Sequence, residues 1–260
     1  MLKINNKRFN YYFLYCFLLA IGLYLAGCSS YYFSDNFEGG LIKLDSTVTI
    51  DSATYYIIKP YKEIIDIAID MNEIIAYSEI LLTKGQPVGL LNNFVADLLL
   101  LRGNKVYLET ASADISLLNH GGLRSSLPKG VITLKDIYML MPFENEVVVV
   151  TINSENFKYL VKYIINNPGT PFAGMQLIIR EGKLKTLKVQ EEDFDENRNY
   201  RILTTDYLAY GGGRMNFFQN PVKIEHLPVK LRDLIIDYLR DETKKGNKIY
   251  VELDDRIVYE

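Results

Sequence analysis

The residues with the most chemical potential in this 260-residue chain lie at 115–130, in the run ISLLNHGGLRSSLPKG. It opens as an apolar strand and closes as a turn. Between these stand Asn119, His120, Gly121, Gly122, Arg124 and two serines. A guanidinium is permanently charged and offers its donors as a planar fork. Beside a glycine turn such a group can simply tie the turn to a carboxylate, as surface arginines often do. His120 reads as a hydrogen-bonded turn residue. Two further segments carry polar and aromatic groups together: MPFEN, with Phe143 and Asn145, and GGGRMNFF, with Arg214, Met215, Phe217 and Phe218. Phe143 fits a core equally well, and Phe217 and Phe218 fit an ordinary buried pair.

Other chemistry is missing from the pattern. The chain has two histidines, His120 and His226, too few for a dinuclear phosphoesterase centre. It contains no H-E-x-x-H, G-x-S-x-G or Walker sequence. Its many carboxylates show no spacing that singles out a catalytic pair. The acidic run EEDFDENRN at 191–199 reads as a solvated loop. With 29 basic and 32 acidic side chains and a net charge of −3, nothing suggests a nucleic-acid surface.

The N-terminus reads as a targeting segment. Lys3, Lys7 and Arg8 precede an apolar run from Tyr11 to Gly27, which ends in LAGC. The last four residues resemble the bacterial lipobox, which implies cleavage before Cys28 and lipidation of its thiol. The expected organisation is a signal peptide at 1–27, a tether at 28–40 and one domain at 41–260. An uncleaved membrane anchor is the alternative. In either case the bulk of the chain is expected outside the cytoplasm, held to a membrane. Cys16 falls in the removed segment, so no thiol remains for a disulfide or a thiolate metal site.

Apolar residues make up 48% of the sequence, enough for a sizeable core. Strands are predicted over LIKLDSTVTID and ATYYIIKP. A helix is predicted over YKEIIDIAIDMNEIIAY, with Ile64, Ala68, Met71 and Ile75 on one face. A second helix is predicted over QPVGLLNNFVADLLLLRGN, with Pro87 in its first turn and Gly103 at its end. KVYLETA and DISLLN read as strands. ITLKDIYMLM reads as a short helix with a Thr133–Asp136 capping box. NEVVVVTIN reads as a strand buried on both faces. A helix over SENFKYLVKYIINN and a hairpin about Glu181-Gly182 follow. Then come a strand in YRILTTDYLAYGGG, a helix with Pro228 near its start and Gly246 at its end, and a last strand, KIYVEL. The mixture lacks a strict βαβ rhythm and gives an α+β fold with a mixed sheet.

The segment LNHGGLRSSLPKGVITLKDIYMLMPFENEVVVVTI resembles the signature core of the 5′-nucleotidase C-terminal domain family. That family shows N-x-G-G-[IL]-R, K-G-x-[IL]-T-x-x-D and [LM]-P-F-x-N in this order. YRILTTDYLAYGGG and VGLLNNFVADLLL, with Gly89 and Asp97, are similar to two more of its segments. The likeness covers residues 40–253 approximately. It implies a domain that grips a nucleotide and presents its phosphate to a metallophosphatase domain, here expected as a separate chain. Divalent metals are then expected in that partner, with no cofactor in this chain.

Residue by residue, the resemblance implies that Arg124 reaches the phosphate and ribose end of the substrate. Gly121 and Gly122 let the backbone approach the ligand, and Asn119 hydrogen-bonds it. Phe143 stacks on the base, and Asn145 is available to its edge. Two departures stand out. Where the family has an arginine before the G-N-L helix, this chain has Leu82. The family's G-G-D-G-[FY] reads GGGRMNFF, with Gly213 in place of the aspartate and Met215, Phe217 or Phe218 in the aromatic position. Arg214 is an added cation. The expected function is the substrate-positioning part of a split 5′-nucleotidase. The alternatives are a non-enzymatic nucleotide-binding lipoprotein or an interaction scaffold.

Overall fold

A computed structural model describes residues 6–25, 40, 45, 47–68, 70–107 and 112–260. The chain divides into two compact units, Met1–Ile57 and Ile58–Glu260. In the first, α1 (Asn6–Leu25) covers most of the predicted apolar run. Among the described residues no helix is long and apolar enough to cross a membrane. The expected lipidation residue Cys28, and the tether apart from Gly40, lie outside the described residues.

Helix α2 (Ser52–Ala68) corrects three sequence expectations. ATYYIIKP is helical rather than extended. Its aromatic and β-branched residues suggest a strand, but the Asp51 carboxylate accepts the Thr54 backbone N–H at 2.9 Å and starts a helix. Pro60 stands inside it, at the loss of one backbone bond. The first predicted strand is absent from 47–51, and most of its earlier residues lie outside the described ones. The helix predicted through Ile75 stops at Ala68. An Asp70 turn, with the Asn72 N–H on the Asp70 carboxylate at 3.0 Å, redirects the chain into β1 (Ile74–Ser78). Met71 and Ile75 therefore leave the expected helix face.

The main unit continues with α3 (Leu90–Arg102), β2 (Ile115–Leu117), β3 (Gly130–Thr133), α4 (Leu134–Leu140), β4 (Glu146–Ile152) and α5 (Ser154–Asn166). Next come β5 (Phe172–Ala173), β6 (Met175–Arg180), β7 (Lys183–Val189), β8 (Glu192–Asp193) and β9 (Tyr200–Thr205). The last elements are α6 (Asp206–Ala209), β10 (Lys223–Lys230), α7 (Leu231–Lys244) and β11 (Ile257–Tyr259). Five strands form the main sheet in the order β10-β4-β9-β2-β5. β11-β6-β7-β8 form a second sheet, and β1 pairs with β3. Parallel β2–β9 and β11–β6 pairs stand among antiparallel ones. The α+β class with mixed sheets is as predicted.

The core lies about the main sheet. β4 is flanked by β10 and β9, and Val147, Val148, Val149 and Val150 are all fully buried. α5 buries Phe157, Leu160, Val161 and Ile164 against it, while Ile165 packs at the edge. The predicted capping box forms on α4: Thr133 Oγ1 accepts the Asp136 N–H, and Asp136 accepts the Thr133 N–H at 2.8 Å. The hairpin turns at Glu181-Gly182 as expected.

Four local expectations change. Pro87 precedes α3 rather than occupying its first turn. KVYLETA begins as a π-helical extension, Gly103–Tyr107, rather than a strand; its last residues lie outside the described ones. Pro228 belongs to β10, an edge strand, where its missing N–H costs no inner ladder bond. KIYVEL meets the sheets only through a Ser78–Ile249 bridge, and the final strand is β11.

Candidate functional site

The parallel strands β2 and β9 end side by side, and the loops that follow them enclose a hollow of about 350 Å³. Its floor is apolar: Leu118, Leu123, Met141 and Leu231 are buried. Its polar groups come from the turn after β2, the loop between α4 and β4, and the start of α6. A crevice beyond the carboxyl ends of parallel strands is a recurrent place for ligands.

The turn supplies Asn119, Gly121, Gly122 and Arg124. His120–Gly122 form one tight helical turn closed by the Gly122 N–H on the Asn119 carbonyl at 3.0 Å. Gly121 has room for a side chain, but a Cβ at Gly122 would lie 2.6 Å from Asn119 Oδ1. Glycine at 122 thus keeps the Asn119 amide in place. The Arg124 N–H is tied to the Leu140 carbonyl at 2.9 Å, so α4 fixes the arginine's root. Its guanidinium is exposed, donates to the Gly121 carbonyl at 3.2 Å and forms no ion pair among the described residues. The carboxylate tie weighed for it from the sequence is not made.

The MPFEN loop supplies Met141, Phe143 and Asn145. It is strapped to the start of α7. The Leu231 N–H donates to the Asn145 carbonyl at 3.0 Å, and Arg232 donates to the Phe143 carbonyl at 3.4 Å and to the Glu144 carboxylate. Lys230 also pairs with Glu144. Hydrogen bonds from Lys230 and Arg232 pull the Glu144 pKa down to about 2. Arg232 is itself fixed over the Tyr138 ring, 4.3 Å from its centroid. On this braced loop Phe143 is 38% exposed, so its ring is a wall of the hollow rather than core.

The glycine loop after α6 behaves differently from expectation. Met215 is fully buried, and Phe217 and Phe218 are nearly so. None of the three lines the hollow with Arg124. Phe217 packs edge-on against Tyr163, and Arg214 lies with it in a separate groove. The aromatic that faces Phe143's hollow is Tyr207, 53% exposed. Gly212 makes room for it: a Cβ there would lie 2.4 Å from the Tyr207 carbonyl oxygen and 2.5 Å from its ring. Sequence reasoning looked for this aromatic after the glycines, whereas it stands before them and the chain folds back onto it. Thr205, at the end of β9, also lines the hollow and gave no sequence signal.

Leu82 is fully buried and exchanges two backbone bonds with Leu127, so this position serves the core. Asp97 pairs with the buried Arg256, and burial raises its pKa; it takes no part in the hollow. His120 Nδ1 lies 3.0 Å from the Gly169 carbonyl, as a turn residue would. His226 sits between Glu146 and Tyr210. Among the described residues no group of three or more His, Cys, Asp or Glu side chains is placed to hold a metal ion.

These features define an α+β domain with a hollow beyond two parallel strands, lined by one guanidinium and two exposed rings. Residues 82–220 match the family model "5′-nucleotidase, C-terminal domain", and the chain belongs to that family. Protein UshA of Yersinia enterocolitica (serotype O:8 / biotype 1B) is 33% identical over 110 residues, 40% of this chain and 20% of that protein. The trifunctional nucleotide phosphoesterase protein YfkN of Bacillus subtilis (strain 168) is 26% identical over 210 residues, 72% of this chain and 14% of that protein. The chain thus spans a fifth or less of these relatives. Among solved structures, the 5′-nucleotidase precursor of Thermus thermophilus superposes with a TM-score of 0.65 at 18% identity. That match covers 79% of this chain and 43% of the other, a likeness of fold.

Proposed function

We propose that this chain is the nucleotide-holding subunit of a split 5′-nucleotidase, with the metals and the attacking water supplied by a separate metallophosphatase chain. The observation that carries it is the Arg124 guanidinium, which forms no ion pair among the described residues and opens into the same hollow as two exposed rings from different loops, Phe143 and Tyr207. In this reading a base enters between the rings and the phosphate meets Arg124. Asn119 and Asn145 are set to hydrogen-bond the sugar and base edges. A guanidinium suits a phosphate because it pairs donors with two oxygens at once. The rings suit a base because stacking carries affinity without demanding one base identity.

The contribution of this subunit is positioning. Holding the phosphate ester at a fixed point turns an encounter with the metal-bound water into an effectively unimolecular step. The Bacillus subtilis relative is a trifunctional nucleotide phosphoesterase, which supports a phosphorylated nucleoside as ligand. The location we propose is the outer side of the cytoplasmic membrane or beyond it, anchored by lipid on Cys28. Labelling with a fatty acid that survives in the full chain but is lost in Cys28→Ala tests the anchor.

The function is tested by titrating the chain with AMP, adenosine and inorganic phosphate, and then adding a metal-loaded metallophosphatase chain sought in the neighbouring reading frames. AMP is expected to bind more tightly than adenosine. Hydrolysis of AMP is expected to rise, with a lower KM, only when both chains are present. AMP binding with no effect on the phosphatase would leave a binding lipoprotein. No heat with any nucleotide would refute the reading.

A further inference from the structure

A second hollow, of about 420 Å³, lies in the main unit between the exposed face of α5 and the loop after α6. On α5 its lining residues recur at helical spacing, including Asn156, Lys162 and Asn166. The loop adds Arg214 and Asn216. Among the described residues no carboxylate lines this groove, in a chain whose net charge is negative. Lys162 and Arg214 are exposed, and neither forms an ion pair among the described residues. Nearby Lys158, by contrast, is already neutralised by Glu196 at 2.6 Å.

The loop that carries Arg214 is held in an uncommon backbone shape. Arg214 has φ 61° and follows Gly213 at φ 64°, so an arginine occupies a left-handed position where glycine or asparagine is the usual choice. Strained positions of this kind gather at functional sites, where the surroundings over-determine them. Here the Tyr163 hydroxyl donates to the Gly213 carbonyl at 3.0 Å and fixes the loop against α5. The guanidinium is thereby presented to the same groove as Lys162 rather than to the hollow that contains Arg124.

We propose that this groove is a second oxyanion site, for a phosphate monoester or pyrophosphate group, gripped by Lys162 and Arg214 and completed by the carboxamides of Asn156, Asn166 and Asn216. Two separated cations match the charge of a phosphoryl group, and the carboxamides offer N–H donors to its remaining oxygens. The phosphate can be inorganic or part of a nucleotide. The site stands independently of the nucleotide reading for the first hollow.

The test titrates the full chain with pyrophosphate by calorimetry, alone and with saturating adenosine, and in parallel with AMP. The variants are Lys162→Gln, Arg214→Asn, which keeps the left-handed backbone, Arg214→Lys, which restores the charge, and Arg124→Ala. Pyrophosphate is expected to bind with and without adenosine. Each of Lys162→Gln and Arg214→Asn should weaken it about threefold or more, and the two together in the Arg124→Ala background should abolish it. Arg214→Lys should bind near the wild-type level, and pyrophosphate binding should persist in Arg124→Ala, whose first hollow has lost its cation. Competition by AMP in Arg124→Ala would assign the group to a nucleotide, and its absence to the free anion. Affinity in that triple variant equal to that of Arg124→Ala would overturn the proposal. So would loss of pyrophosphate binding in Arg124→Ala alone, or no pyrophosphate binding by the wild type.

Discussion

Replacing Arg124 by alanine separates a ligand role from a structural one. Among the described residues the side chain is exposed, donates one hydrogen bond, a 3.2 Å contact to the Gly121 carbonyl, and neutralises no carboxylate. Folding stability should therefore change by no more than about 0.5 kcal/mol, the usual range for a surface substitution. Binding is another matter. A hydrogen bond to a charged group contributes about 1.5–3 kcal/mol, and an exposed ion pair about 0–1 kcal/mol. A cation in a concave but open hollow falls between these ranges, at about 1.5 kcal/mol, or roughly tenfold in affinity. Calorimetry should thus show AMP binding weakened about tenfold in Arg124→Ala and adenosine binding unchanged, because the nucleoside has no phosphate to lose. Arg124→Lys should restore part of the difference, as a point charge without the paired fork. Raising the salt should weaken AMP and spare adenosine in the wild type alone. If AMP and adenosine lost affinity equally, or neither did, the assignment of Arg124 to the phosphate would be wrong.

Gly212→Ala should weaken AMP and adenosine alike, because the new Cβ, 2.5 Å from the Tyr207 ring, must displace that wall; equal affinities for wild type and variant would remove Tyr207 from the site. Asn92→Ala should lower stability by about 2 kcal/mol, measured by urea unfolding, since its buried amide holds the Gly85 N–H and the Gly169 carbonyl. Thr133→Ala should cost about 1 kcal/mol through loss of the α4 cap. Glu144 carries a pH signature. Its folded pKa, about 2, lies below the ordinary value of 4.5, so its stabilisation is complete above that value and is lost as pH falls through about 2. Thermal unfolding from pH 6 to 2 should fall less steeply in Glu144→Gln than in wild type, and parallel curves would contradict the strap.

Local signals in this sequence proved readable where neighbours along the chain decide the outcome. The Thr133–Asp136 box needs four consecutive residues, and it forms. The valine run of β4 needs only cover on both faces, and two strands flank it. Legibility failed where distant pairing or a single turn decided. Ile74 and Ile75 continue a helical period, yet the Asp70 turn and pairing with β3 make them a strand. In the site, the N-x-G-G-x-R turn and MPFEN could be placed in one hollow because each is short and anchored at both ends. The second ring could not be placed, since Tyr207 reaches the hollow only through the fold of a loop whose key residue, Gly212, has no side chain to announce it.

The arginines of the main unit divide by environment in a way that bears on both hollows. Arg102, Arg198, Arg201, Arg232, Arg240 and Arg256 each hold a carboxylate of this chain, and several are largely buried. That is the expected arrangement, because a desolvated guanidinium without a counter-charge is destabilising. Arg124, Arg180 and Arg214 hold none among the described residues. Arg180 sits at the exposed tip of the β6–β7 hairpin, where water solvates it freely. Arg124 and Arg214 instead stand in concavities, each on a loop tied by a hydrogen bond to a neighbouring helix. A fold that neutralises its other inward arginines, yet fixes two in hollows with no carboxylate on them among the described residues, leaves room for counter-charge from outside the chain. The prediction for Arg124 and the one for Arg214 rest on that shared electrostatic ground, but they use different probes and different residues. Either can therefore fail without carrying the other with it.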